Sequence, residues 1–275
     1  MQMSAKLLSA LPFEWAQYQF MQMALTGIVI LAPLFAILGC LVISNQMAFF
    51  ADAIGHSALT GIALGVLAGL HEPLWAMLVF AVMLAAAIAW LRHKQLAPAD
   101  AVIGLVMSGT VALGIVLLSR QGGFHRYARY LVGDILTIAP ADVRRVGALA
   151  LGVVLLLAWQ YNRIVLVILH RPLAASRGVC VWRTELLFTV LIAVSVTLSI
   201  AWMGLLVINS LLILPAAAAR NLARSAAAYV LWAVAISLTS GIGGVIASYY
   251  LSSATGATIV LCALLLFGVS VVVRR

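Results

Sequence analysis

Nine apolar runs, each near the length of a bilayer, dominate this chain: residues 20–43, 48–70, 73–91, 101–119, 146–169, 184–203, 205–219, 226–248 and 254–273. A membrane-crossing helix needs about 20 predominantly apolar residues. In lipid every backbone N–H and C=O must be satisfied inside the protein, and a helix does this within one segment. Composition agrees, because 65% hydrophobic against 8% charged residues is more apolar surface than a soluble core absorbs. Strand alternation is absent. The sequence therefore predicts an all-α polytopic transmembrane bundle of eight or nine helices. The count turns on the seventh run, which is short, contains Pro215 and reads as a broken or half-depth helix. Residues 1–19 read as an N-terminal surface segment and residues 20–275 as one transmembrane domain. The first run starts near Met21 and continues to full spanning length, unlike the apolar part of a cleavable leader.

Orientation follows from Lys and Arg. With residues 92–99, 170–183, 220–225 and the C-terminus placed in the cytoplasm, that side holds nine basic residues and the other side six. Nine spans then put the N-terminus outside and the C-terminus inside. The net charge of +9 needs no nucleic acid, since basic loops facing anionic lipid account for it. The longest connector, residues 120–145, carries five arginines on the outer side. It reads either as a surface connector capped by Asp134 and Asp142 or as a re-entrant segment, its apolar centre 130–139 being too short to cross.

Within the second run, Asp52 and His56 stand four residues apart, which stacks them on one helix face. Ionisable side chains in hydrocarbon are expensive unless they meet a partner, a cavity or a passing ion. A carboxylate and an imidazole are also a ligand pair for a borderline divalent cation. Gly61, Gly65 and Gly69 follow at the same step on another side of the helix, as a close-packing stripe. Asn209 and Ser210 read as interhelical hydrogen-bonding residues. His71, Glu72, His93 and His125 lie near run ends and read as interfacial side chains. Cys40, Cys180 and Cys262 are far apart, with no C-x-x-C, which disfavours a thiolate site and a disulfide framework.

Other chemistries lack their residues. There is no G-x-x-x-x-G-K-[ST], and the only lysines are Lys6 and Lys94. The chain is not expected to cradle ATP phosphates itself. Neither H-E-x-x-H nor G-x-S-x-G occurs. No catalytic residue and no resident cofactor is expected, so active transport would draw on a partner or an ion gradient.

Four stretches together resemble the membrane permease subunits of bacterial zinc and manganese ABC importers, the ABC-3 family, nearer its zinc branch. They are FADAIGHSALTGIALG (50–65), YLVGDILTIAPADV (130–143), LLVINSLLILPAAAARNLARS (205–225) and ATIVLCALLLF (257–267). The resemblance implies an inner-membrane homodimer importing zinc or, next, manganese. It implies cytoplasmic ATPase subunits that hydrolyse ATP, and a periplasmic metal-binding protein. It places metal ligands at Asp52 and His56, and ATPase docking on residues 170–183, at the Ala174-x-x-x-Gly178 segment. The family often carries acidic residues just before that alanine, where this chain has His170, Arg171 and Leu173. The alternative reading is an ATP-independent secondary cation transporter or channel using Asp52 and His56 as a proton relay. An intramembrane metalloenzyme is disfavoured, because a catalytic metal usually takes three protein ligands.

Overall fold

The computed structural model describes residues 14–70, 73–94, 97–120 and 135–274. Among them are ten α-helices and no strand. They are α1 (Gln19–Ser44), α2 (Phe50–Leu67), α3 (Pro73–His93), α4 (Ala99–Arg120), α5 (Pro140–Leu169), α6 (Arg171–Ser176), α7 (Val181–Met203), α8 (Leu205–Leu222), α9 (Ala226–Leu251) and α10 (Thr255–Val273). All but the six-residue α6 are long and apolar enough to cross a membrane, nine helices among the described residues. Short 3-10 turns occupy Glu14–Gln17 and Ile135–Thr137.

Two helices differ from the sequence expectation. The seventh span, α8, is short at 18 residues but unbroken, continuing past Pro215 to Leu222. At 1.5 Å per residue it is about 27 Å long, close to the hydrocarbon thickness. The fifth span, α5, starts at Pro140, earlier than hydropathy suggests. Proline at a helix start costs no hydrogen bond. Asp142 Oδ2 accepts from the Ala139 N–H (3.3 Å), and its Oδ1 pairs with Arg145 (3.2 Å). The first turns are therefore polar helix, which a hydrophobicity criterion passes over. Asp134, His125, His71 and Glu72 lie outside the described residues.

The chain divides into two compact units, one within Met1–Ile43, Asp134–Gly152 and Trp202–Arg275, the other within Ser44–Gly133 and Val153–Ala201. In the first unit α1 packs on α8 and α9 around Ala36, Cys40, Ala216, Ala219 and Ala233. Small residues set this contact, because in lipid close van der Waals approach, not escape from water, drives helix association. A Cβ on Gly39 would stand 1.8 Å from the Leu212 carbonyl oxygen, so only glycine allows this spacing. Buried Ser237 spans the same seam, donating to the Ala32 carbonyl at 2.9 Å.

In the second unit α2 is the central helix. It is 72% buried, while its neighbour α4 is 22% buried. Ala58 and Ile62 pack on Met77 of α3, and Leu59 and Ala63 on Leu118 of α4. Gly61 lets the α3 backbone approach, since a Cβ there would lie 2.8 Å from the Met77 Cα. Thr60 Oγ1 donates to the Thr110 carbonyl of α4, and Ser57 shares a 2.6 Å hydrogen bond with the Thr110 hydroxyl. Gly69 is not a packing residue. It sits at φ +71 beyond the helix end, where Leu70 N–H returns to Gly65 O and Gly69 N–H to Val66 O, a Schellman closure.

Candidate functional site

The buried length of α2 leaves one polar strip uncovered. Asp52 and His56 lie on it, with side chains 32% and 41% exposed. The residues between and around them, Ala51, Ala53, Ile54, Gly55 and Ser57, are all buried. Asp52 Oδ1 and His56 Nε2 are 3.4 Å apart. The i,i+4 spacing read from the sequence is thus realised as a contact. The helix begins at Phe50, however, so the pair occupies the first two turns of α2 and not its middle. That position suits the carboxylate, since the peptide dipoles at a helix N-terminus favour negative charge.

The separation also suits a shared cation. Two ligand atoms each about 2.1 Å from a tetrahedral centre stand about 3.4 Å from one another. Among the described residues, no group of three or more His, Cys, Asp and Glu side chains gathers as a metal site. One chain therefore offers an oxygen and a nitrogen, half of a four-ligand shell.

The other sequence candidates go elsewhere. Ser210 is buried and returns its hydroxyl to Val207 O of its own helix, at 3.0 Å, instead of reaching a neighbour. His93 stacks near Trp182, ring centroids 5.3 Å apart. Cys40 is buried, Cys180 exposed and Cys262 half-buried, and none of the three is in a disulfide.

The connector between α5 and α7 folds as the Pro, Ala and Gly spacing predicts. His170 caps α6, its Nδ1 accepting from the Leu173 N–H at 3.2 Å, and Pro172 lies in the first turn. Gly178 stands at φ +74. Its N–H bonds Ala175 O, and the Val179 N–H bonds Ala174 O, both at 3.0 Å. These two bonds close α6 as a Schellman motif, which requires the left-handed conformation that glycine takes without strain.

Sequence reasoning missed Glu185. It is 4% exposed in the first turns of α7 and pairs with Arg171 of α6 at 2.5 Å. An acid just inside an apolar run was the signal that could have found it. The pair ties the connector helix to the span that follows it.

A sequence profile of the ABC 3 transport family matches residues 17–274. The chain is 34% identical over 256 residues to the high-affinity zinc uptake system membrane protein ZnuB of Haemophilus influenzae, covering 91% of this chain and 96% of that one. It is 27% identical over 254 residues to the manganese import system permease protein ScaB of Streptococcus parasanguinis, covering 92% and 90%. Among solved structures, PsaBC from Streptococcus pneumoniae in complex with Fab superposes with a TM-score of 0.78 at 26% identity, covering 92% of this chain and 91% of that one.

Proposed function

The chain belongs to the ABC 3 transport family, and from that premise we propose that it passes zinc, with manganese as second substrate, inward between Asp52 and His56. It is a multi-pass inner-membrane permease of the metal-importer class. The observation that carries the site is the 3.4 Å Asp52–His56 contact on the uncovered strip of residues 50–63, which are otherwise buried. The zinc and manganese systems named among its relatives support the cargo.

In this reading two copies pair, and each contributes one carboxylate oxygen and one imidazole nitrogen. Four such ligands near a shared axis, or two weaker half-sites off it, suit a cation that must bind briefly and leave. ATP is hydrolysed by separate cytoplasmic subunits docking on residues 170–183, where α6 presents exposed Leu173, beside exposed Leu169 at the end of α5. A periplasmic metal-binding protein delivers the ion on the opposite side, where the N-terminus lies. Residues 20–275 make up the permease domain; of the expected N-terminal surface segment, residues 1–13 lie outside the described residues, and Trp15 and Ala16 are buried.

The test is zinc and manganese uptake into vesicles carrying the complete complex, comparing the wild type with Asp52→Asn. That exchange keeps shape and removes charge, and uptake is expected to fall to background while membrane expression is unchanged. Normal uptake by Asp52→Asn would make the pair structural. ATP-independent uptake by this chain alone, with no co-purifying ATPase, would favour the secondary-transporter reading.

A further inference from the structure

A second polar feature lies outside the Asp52–His56 pair. Ser44, Asn45, Arg92, Pro98, Ala99 and Arg171 are among the residues lining a cavity of about 560 Å³ at the ends of α3, α4, α5 and α6. These are the segments that the basic-residue count assigns to the cytoplasmic face. Arg92 is 7% exposed. Its guanidinium donates to the Met47 thioether, to the Asn45 carbonyl at 3.3 Å and to the Asn45 Oδ1 at 3.5 Å. Among the described residues no carboxylate forms an ion pair with it. Glu185 and Asp100 act on it only at longer range, and Glu185 is already engaged with Arg171.

A buried cation held by a thioether and two neutral oxygens of Asn45 is under-compensated. Here it lines a cavity whose described lining residues include a second guanidinium, that of Glu185-paired Arg171, and no carboxylate. Arg forks match the oxygens of phosphate with parallel hydrogen bonds. The volume falls in the range of small-molecule sites, well above that needed for a single halide. Asn45 and Ser44 add neutral polar groups beside the two charges. We propose that this cavity binds a phosphate group at the cytoplasmic face, between Arg92 and Arg171, either from an anionic lipid headgroup or from a soluble phosphate.

The experiment uses the purified full-length chain and reads its melting midpoint. One arm adds inorganic phosphate against chloride at matched ionic strength. The other reconstitutes the chain into phosphatidylglycerol vesicles against phosphatidylcholine vesicles. A rise of roughly 3–6 °C is expected in at least one arm, and at least half of it should be lost in Arg92→Gln. A response to phosphate identifies a soluble ligand; a response to phosphatidylglycerol alone identifies the headgroup. Should Arg92→Gln fail to accumulate, Ala99→Glu serves instead. It places a carboxylate in the lining, where the start of α4 favours negative charge, and should remove the response by filling the site from within. Responses of wild-type size in both variants would overturn the proposal. So would no response in either arm, and if Arg92→Gln then also lost ATPase association, the partner of Arg92 would be a protein carboxylate instead.

Discussion

Two polar groups in the second unit solve the problem of charge in an apolar bundle in opposite ways. The Arg171–Glu185 pair buries its carboxylate almost completely and sets it 2.5 Å from a guanidinium. The Asp52–His56 pair stays about one third exposed, at 3.4 Å, on a stretch of helix, residues 50–63, that is otherwise covered. Burying an ion pair costs desolvation of both charges and pins its geometry, which suits a strut. A half-open pair of one oxygen and one nitrogen keeps its ligand atoms available, which suits an ion in transit. On the proposed function, exposure, more than the presence of charge, separates the structural pair from the transporting one.

The comparison breaks first at His56. His56→Ala should lower zinc uptake by roughly tenfold or more with no change in unfolding of the chain. A fall in both, or in neither, would erase the distinction. Acidification should act on the same group. A protonated imidazole cannot ligate, so uptake should weaken as acid protonates His56. Uptake flat from pH 8 to 5.5 would remove His56 from the path.

Arg171→Ala tests the strut. It leaves the buried Glu185 carboxylate unpaired and should cost about 2 kcal/mol, discounted because the guanidinium is 36% exposed. Glu185→Gln leaves a cation that reaches solvent and should cost less. Denaturation of the two variants in detergent gives the order, and the reverse order would contradict the burial argument. Next in size, Gly178→Val forces a β-branched residue to φ +74, at about 1–2 kcal/mol. The end of α6 should loosen, and stimulation of the partner ATPase should fall while the subunits still assemble. Smallest is Thr60→Ala, which deletes one hydrogen bond to Thr110 O, about 1 kcal/mol. Uptake should stay near normal, since Thr60 is buried against Gly114 and lines no open strip.

Much of the fold was legible because lipid leaves so few options. A bilayer dictates element type and length, and so hydropathy alone located nine apolar runs and narrowed the spans to eight or nine. The Asp52–His56 contact was legible for the same local reason, a four-residue step on one helix. The connector cap at Gly178 was carried by proline and glycine spacing. What escaped was whatever needs the third dimension or a polar helix turn. The early start of α5 hid behind Arg144 and Arg145, which are helical yet polar. Gly69 shares the spacing of Gly61 but closes the helix, because the helix ends two residues before it. Arg92 meets Asn45 and Met47 on a separate helix connection, a juxtaposition that no periodicity announces.

The central claim is that Asp52 and His56 hold the metal. X-ray absorption at the zinc edge, on the zinc-loaded full-length permease, tests it most directly. The account predicts a shell of oxygen and nitrogen near 2.0–2.1 Å, with imidazole scattering that disappears in His56→Ala. A sulfur shell near 2.3 Å, or a spectrum unchanged by His56→Ala, would contradict it.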